Sequence, residues 1–174
     1  FVMVRVASLK DMVHAKYNKP DLAGLKPEEQ LQKIGEKTHD LVALQYSTYN
    51  RSLLPALRQK GLRIVSRHEE LTKEEGKFVD QYFQDNVYPV LTPMAVDSSR
   101  PFPLIYNKSL NIAALVKEKD KEEQIDFAMV QVPSVLPRIV DIPSKKERVV
   151  ILLEEIIERN MPSLFVRHEI LAAH

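Results

Sequence analysis

The sequence predicts an α+β fold in two parts: a long helical hairpin, then a small mixed domain whose sheet is mostly antiparallel. Three observations predict it. Leu31, Ile34, Thr38, Leu41, Gln45, Tyr49, Leu53 and Leu57 recur at spacings of three and four, which is the period of one helix face. Four prolines from Pro89 to Pro103 forbid a continuous helix there, because proline lacks the amide donor and its ring clashes with the preceding turn. Beyond them Leu110, Ile112, Ala114 and Val116 alternate with Asn111, Ala113 and Leu115, as in a strand packed on one face. After residue 61 the order is helix, strands, helix, strand, which argues for a second α+β domain, so the domains are expected at 1–60 and 61–174.

Val2, Val6, Leu9, Val13 and Tyr17 fall at helical spacing, although the valines at 2, 4 and 6 also alternate as a strand would. Pro20, Asp21 and Gly24 then form a cluster of turn residues that ends this first element. Pro27 opens the second helix with Glu28 and Glu29 behind it, where a missing donor and negative charge are both favoured. That helix is expected to run to Gly61, with a kink or tertiary support at Pro55, since an internal proline costs about 3 kcal/mol. A hairpin of two striped helices needs a further helix to close a core, expected upstream of Phe1.

Leu62 to Val65 reads as a short apolar link. Either Ser66 to Glu69 or Thr72 to Glu75 can cap the next helix, which carries Tyr82, Phe83 and Val87 and is stopped by Pro89. Strands are expected at Val90–Val96, Leu110–Lys117, Ile125–Val132, Arg138–Asp141 and Val149–Leu152. The charged stretch Glu118 to Glu123 suits an exposed hairpin turn. A helix over Leu153–Asn160 and a weakly alternating strand over Phe165–Ala172 complete the order.

Composition removes several chemistries. With 174 residues the chain holds one large domain or two small ones, and 44% hydrophobic residues suffice to build cores. There is no cysteine, which excludes disulfides, thiolate metal sites and cysteine nucleophiles. The histidines at 14, 39, 68, 168 and 174 show no metal-ligand spacing. With glycine only at 24, 35, 61 and 76, no glycine-rich phosphate loop can be built. No run reaches the roughly 20 apolar residues of a membrane span, and a cytoplasmic location is expected. Residues 1–60 carry ten Lys or Arg against six Asp or Glu, a balance of +4, whereas 61–174 carry fifteen against eighteen, a balance of −3. A basic first part could line a polyanion path, but lysines that solvate helix faces are the commoner reason for such an excess.

The block from Thr92-Pro93-Met94 to Asn107-Lys108-Ser109-Leu110, inside PVLTPMAVDSSRPFPLIYNKSLNIAALV, closely resembles the bacterial long-form polyphosphate kinase family. The opening FVMVRVASLK, His14, the loop YNKPDLAGLK and the stretch DLVALQYSTY extend the resemblance over most of the chain. It implies the end of an amino-terminal helical domain over 1–60 and most of a head domain over 61–174, cut short at its carboxyl end. It further implies a parent enzyme that transfers the terminal phosphate of ATP to polyphosphate and runs in reverse from ADP. Magnesium would be its metal, and two subunits would interlock through their head domains. Such an enzyme is cytoplasmic, with membrane association as a complex left open. The family's catalytic histidine, its magnesium-linked arginines and its phospholipase-D-like domains lie beyond this stretch, so the resemblance implies no catalytic residue and no metal ligand here.

Three residues are candidates for phosphate contact. Arg5 offers a planar fork suited to phosphate, and by resemblance its segment borders the nucleotide tunnel; the competing reading is a surface arginine. Arg100 lies in the Ser98-Ser99-Arg100-Pro101 loop, where fixed prolines leave little entropy to lose. Lys108 follows Asn107 just beyond it. Phe102 and Asn107 have structural readings as an apolar plug and a turn former. Two rival functions remain at this level, a non-catalytic polyanion-binding module and an oligomerisation module built on Phe102, Leu104, Ile105 and Tyr106. Nucleic acid is not an expected partner, because aromatic residues are not interleaved with the lysines.

Overall fold

A computed structural model describes residues 1–96, 104–119 and 125–174. Arg100, Phe102 and most of the charged turn after Glu118 lie outside the described residues. The chain divides into two compact units, Phe1–Ala56 and Leu57–His174.

The first unit is helical. A π-helical turn over Val2–Val6 leads into α1, Ala7–His14. Asp21 then organises the loop: its Oδ1 accepts from the backbone N–H groups of Ala23 at 2.9 Å and Leu25 at 3.0 Å. Gly24 closes that turn at a φ of +79°, which a residue without a Cβ adopts at little cost. In α2, Pro27–Thr48, the proline occupies the first turn, and Glu29 reaches back to accept from the Lys26 N–H at 2.8 Å. A π-helical stretch, Tyr49–Leu53, separates α2 from α3, Leu54–Gln59.

That stretch accommodates Pro55. A proline removes one ladder hydrogen bond and crowds the carbonyl four residues back, here Arg51 inside the π turn, and the wider turn relieves both effects. Gly61 follows α3 at a φ of +80° and donates to the Arg58 carbonyl, as a left-handed residue past a helix end does. Among the described side chains of 1–56, Leu9 and Pro27 are the buried ones, while Leu41, Leu44 and Tyr46 of α2 are exposed.

The second unit holds two sheets. The run Leu62–Val65, expected as a link, is a strand, β1. Thr72 caps α4, Lys73–Tyr82, which continues through π and 3-10 turns to Val90. The next strand therefore starts later than expected: β2 is Pro93–Val96. Then come β3, Asn111–Glu118; β4, Ile125–Gln131; β5, Ile139–Ile142; and β6, Arg148–Leu152. Two short helices, α5 at Leu153–Arg159 and α6 at Met161–Leu164, precede β7, His168–Ala173.

One sheet has the order β2-β4-β3-β7 and is antiparallel throughout. The other has the order β1-β6-β5, with β1 parallel to β6 and β5 antiparallel to it. The fold is α+β with a mostly antiparallel arrangement, as the alternation predicted. Ile112, Ala114 and Val116 of β3 are buried, which is the face the period of two selected. They share one core with Phe83 of the α4 extension, Ile151 of β6 and Ile156 of α5, and burying each such side chain contributes about 1.5–3 kcal/mol.

Candidate functional site

Arg5 sits at the end of the first π turn. Its Nη2 donates to Gln30 Oε1 at 2.9 Å, and Gln30 in turn donates from Nε2 to the Leu25 carbonyl at 3.0 Å. The guanidinium is thus held by an amide, which fixes its direction and leaves its charge unneutralised. It lines a small cleft of about 150 Å³ with Met12, Tyr17, Lys19, Asp21 and Gln30. Asp21 directs one carboxylate oxygen into its own loop, so Arg5 and Lys19 are the cations of that cleft.

Lys108 occupies the third position of the turn Tyr106–Ser109, closed by the Ser109 N–H to the Tyr106 carbonyl at 3.1 Å. Its φ is +61°, in the left-handed region that ordinarily selects Gly or Asn. Asn107, the expected turn former, precedes that position. Lys108 lines a groove of about 500 Å³ with Tyr106, Gln131, Ser134, Leu136 and Arg138. Arg138 is held by Glu154 through Nε at 3.0 Å and Nη2 at 2.5 Å.

Arg5 and Lys108 belong to different units and line different hollows; Arg100 lies outside the described residues. Sequence reading missed Arg138 and Gln131, because their neighbourhood with Lys108 arises from strand ends far apart in the chain. His14 and His39 are exposed, and His68 and His168 are half-buried. No three His, Asp or Glu side chains among the described residues converge as a metal site would require, nor is any described helix long and apolar enough to cross a membrane.

The comparison with known proteins is decisive about family. Residues 1–65 match the family profile described as polyphosphate kinase N-terminal domain, and residues 74–174 match the polyphosphate kinase middle domain. The chain belongs to the polyphosphate kinase family. It is 43% identical over 175 residues to a polyphosphate kinase of Bacillus anthracis, covering 98% of this chain and 25% of that protein. Against the polyphosphate kinase of Lactiplantibacillus plantarum the identity is 46% over 170 residues, covering 98% and 23%. The crystal structure of polyphosphate kinase from Porphyromonas gingivalis superposes with a TM-score of 0.86 at 24% identity, covering 99% of this chain and 25% of that one. That likeness shows the shared fold. The chain spans about a quarter of the length of these polyphosphate kinases.

Proposed function

We propose that this chain is the amino-terminal and middle portion of an enzyme that moves the terminal phosphate of ATP onto polyphosphate and, in reverse, makes ATP from ADP. The observation that carries the reading is the match of both family profiles, in order, to residues 1–65 and 74–174. Phosphoryl transfer of this kind depends on positioned cations and magnesium more than on covalent chemistry by the protein. In this reading Arg5, Arg100 and Lys108 contact phosphate oxygens along the tunnel wall, and the second unit forms the dimer surface. Turnover, the histidine nucleophile and the magnesium belong to other parts of the cytoplasmic enzyme, so this chain by itself binds without catalysing.

The amide-held Arg5 supports this assignment, since a guanidinium without a carboxylate partner keeps its charge for an anion. The test is a titration of the chain with labelled polyphosphate at low and moderate salt. Arg5→Ala removes a charge-assisted hydrogen bond of about 1.5–3 kcal/mol, so affinity falls roughly 10- to 100-fold at low salt. Equal affinity of Arg5→Ala and the parent chain across the salt series would remove Arg5 from the path.

A further inference from the structure

We infer that Gln30 is the positioning residue of the Arg5 cleft: it aims the guanidinium and, being neutral, keeps its charge available to phosphate, so that a glutamate in its place would silence the cleft. That role rests on the phosphate path proposed above. The direction of the amide is dictated by its neighbours. Gln30 Nε2 donates to the Leu25 carbonyl at 3.0 Å, and a carbonyl can only accept. The amide oxygen is thereby turned to the other side, where Arg5 Nη2 donates to it at 2.9 Å. Turning the amide over would set oxygen against oxygen at Leu25 and N–H against N–H at Arg5, so a single orientation serves both partners. Leu25 is itself a fixed anchor. Its carbonyl also accepts from the Asp21 N–H at 3.0 Å, and its own N–H donates to Asp21 Oδ1 at 3.0 Å, so residues 21–25 close on themselves. Lys19 stands two residues before that closed loop and lines the cleft with Arg5. Gln30 therefore ties the turn that carries Arg5 to the loop that follows Lys19, and keeps two cations on one cleft.

Charge decides why an amide serves here and a carboxylate would not. Gln30 is the fourth residue of α2, where the helix dipole favours an acid, as it does at Glu28 and Glu29 just before. Glutamate has the length and shape of glutamine, but beside Arg5 it would form an ion pair and would face the Leu25 carbonyl with a second oxygen. A phosphate would then have to displace that carboxylate before it could take the guanidinium. Among the described residues Gln30 is the only hydrogen-bond partner of the Arg5 side chain, and Arg5 is exposed. Its other N–H groups are open to a bidentate contact with phosphate oxygens, and the one that is taken holds the planar fork in place.

Titration of the chain with labelled polyphosphate across a salt series, with Gln30→Met and Gln30→Glu beside Arg5→Ala, tests the role. Gln30→Met keeps the volume and the net charge but frees the guanidinium. Affinity is expected to fall roughly 2- to 10-fold, the cost of ordering one long side chain on binding, with the salt slope unchanged. Gln30→Glu is expected to weaken binding about as much as Arg5→Ala and to flatten the salt slope by about one phosphate contact. In the Arg5→Ala background Gln30→Met has no further effect, because the amide acts through the guanidinium. The salt slope and this coupling are readouts that a merely structural role would not move, and circular dichroism verifies that each variant is folded. Gln30→Met at the parental affinity, an equal loss from Gln30→Met with and without Arg5, or Gln30→Glu at the parental salt slope overturns the positioning role. Arg5→Ala at the parental affinity removes the phosphate path and the role of Gln30 with it, whereas weakened Arg5→Ala beside unweakened Gln30→Met leaves that path standing and removes the role of Gln30 alone.

Discussion

Glu158 shows how a carboxylate on α5 reports its surroundings. Burial raises its pKa first and the neighbouring Glu155 raises it further, while His68 opposes the shift. A carboxyl whose pKa is higher folded than unfolded binds more protons in the folded state, so stability falls as pH rises from the ordinary carboxylate range through the raised value. Glu158→Gln removes that penalty. Its melting temperature is expected above that of the parent at pH 7, with the difference closing toward pH 4; an unchanged difference across that range would contradict the assignment. A second residue-scale prediction concerns Gly76, where an added Cβ would lie 3.0 Å from Arg159 Nη2, a guanidinium paired with Asp80 at 2.7 and 3.1 Å. Alanine favours a helix interior by about 1 kcal/mol over glycine. Gly76→Ala is therefore expected to stabilise by about that amount in an Arg159→Ala background and by less in the parent, which a urea double-mutant cycle measures. Little of this was legible in the sequence. Arg5 finds its partner 25 residues away at Gln30, and no local pattern announces such a meeting. Lys108 was recognisable as a cation near a turn, but its left-handed φ belongs to the turn's tertiary fit and not to lysine's own preference.

At the scale of elements, α4 rests on its cap. The Thr72 hydroxyl accepts from the Glu75 N–H at 3.3 Å, and Glu75 Oε2 accepts from the Thr72 N–H at 2.9 Å. Thr72→Ala is expected to cost about 1 kcal/mol, read as a lower urea midpoint at unchanged slope. Glu75 also pairs with Arg63 of β1, so Glu75→Ala should cost more than Thr72→Ala; the reverse order would deny the strand–helix tie. The sequence left two caps open, and Thr72 prevails because its threonine and glutamate satisfy each other. The alternative at Ser66 leads only to the three-residue turn His68–Glu70. The strands with their own alternation were legible within a residue or two, β3 most clearly. Leu62–Val65 was not, because a stretch of four residues is too short to show a period and the strand it pairs with is remote in sequence.

Taken as a whole, the chain is uneven in what it buries. Phe83 is fully buried in the second unit, and Phe83→Ala is expected to cost about 3–5 kcal/mol. That is a large share of the roughly 5–15 kcal/mol that holds a domain folded, so near-ultraviolet circular dichroism of this variant should be lost at urea concentrations the parent tolerates. Hydrogen exchange should show the unevenness directly: amides of β3 and β4 persist longest, and those of α2 around Leu41 to Tyr46, whose side chains are exposed, exchange soonest among the helices. Equal protection in both would contradict the burial pattern.

The parallel pairing of β1 with β6 sets a schedule for synthesis. Every paired residue lies 86 positions from its partner, as Val65 does from Ile151. At about 5–20 residues per second on the ribosome, the nascent β1 waits roughly 4–17 s for the strand that will satisfy its backbone. Throughout that interval Leu62–Val65 is an apolar segment with open amides and carbonyls, the kind of edge that holdase chaperones shield.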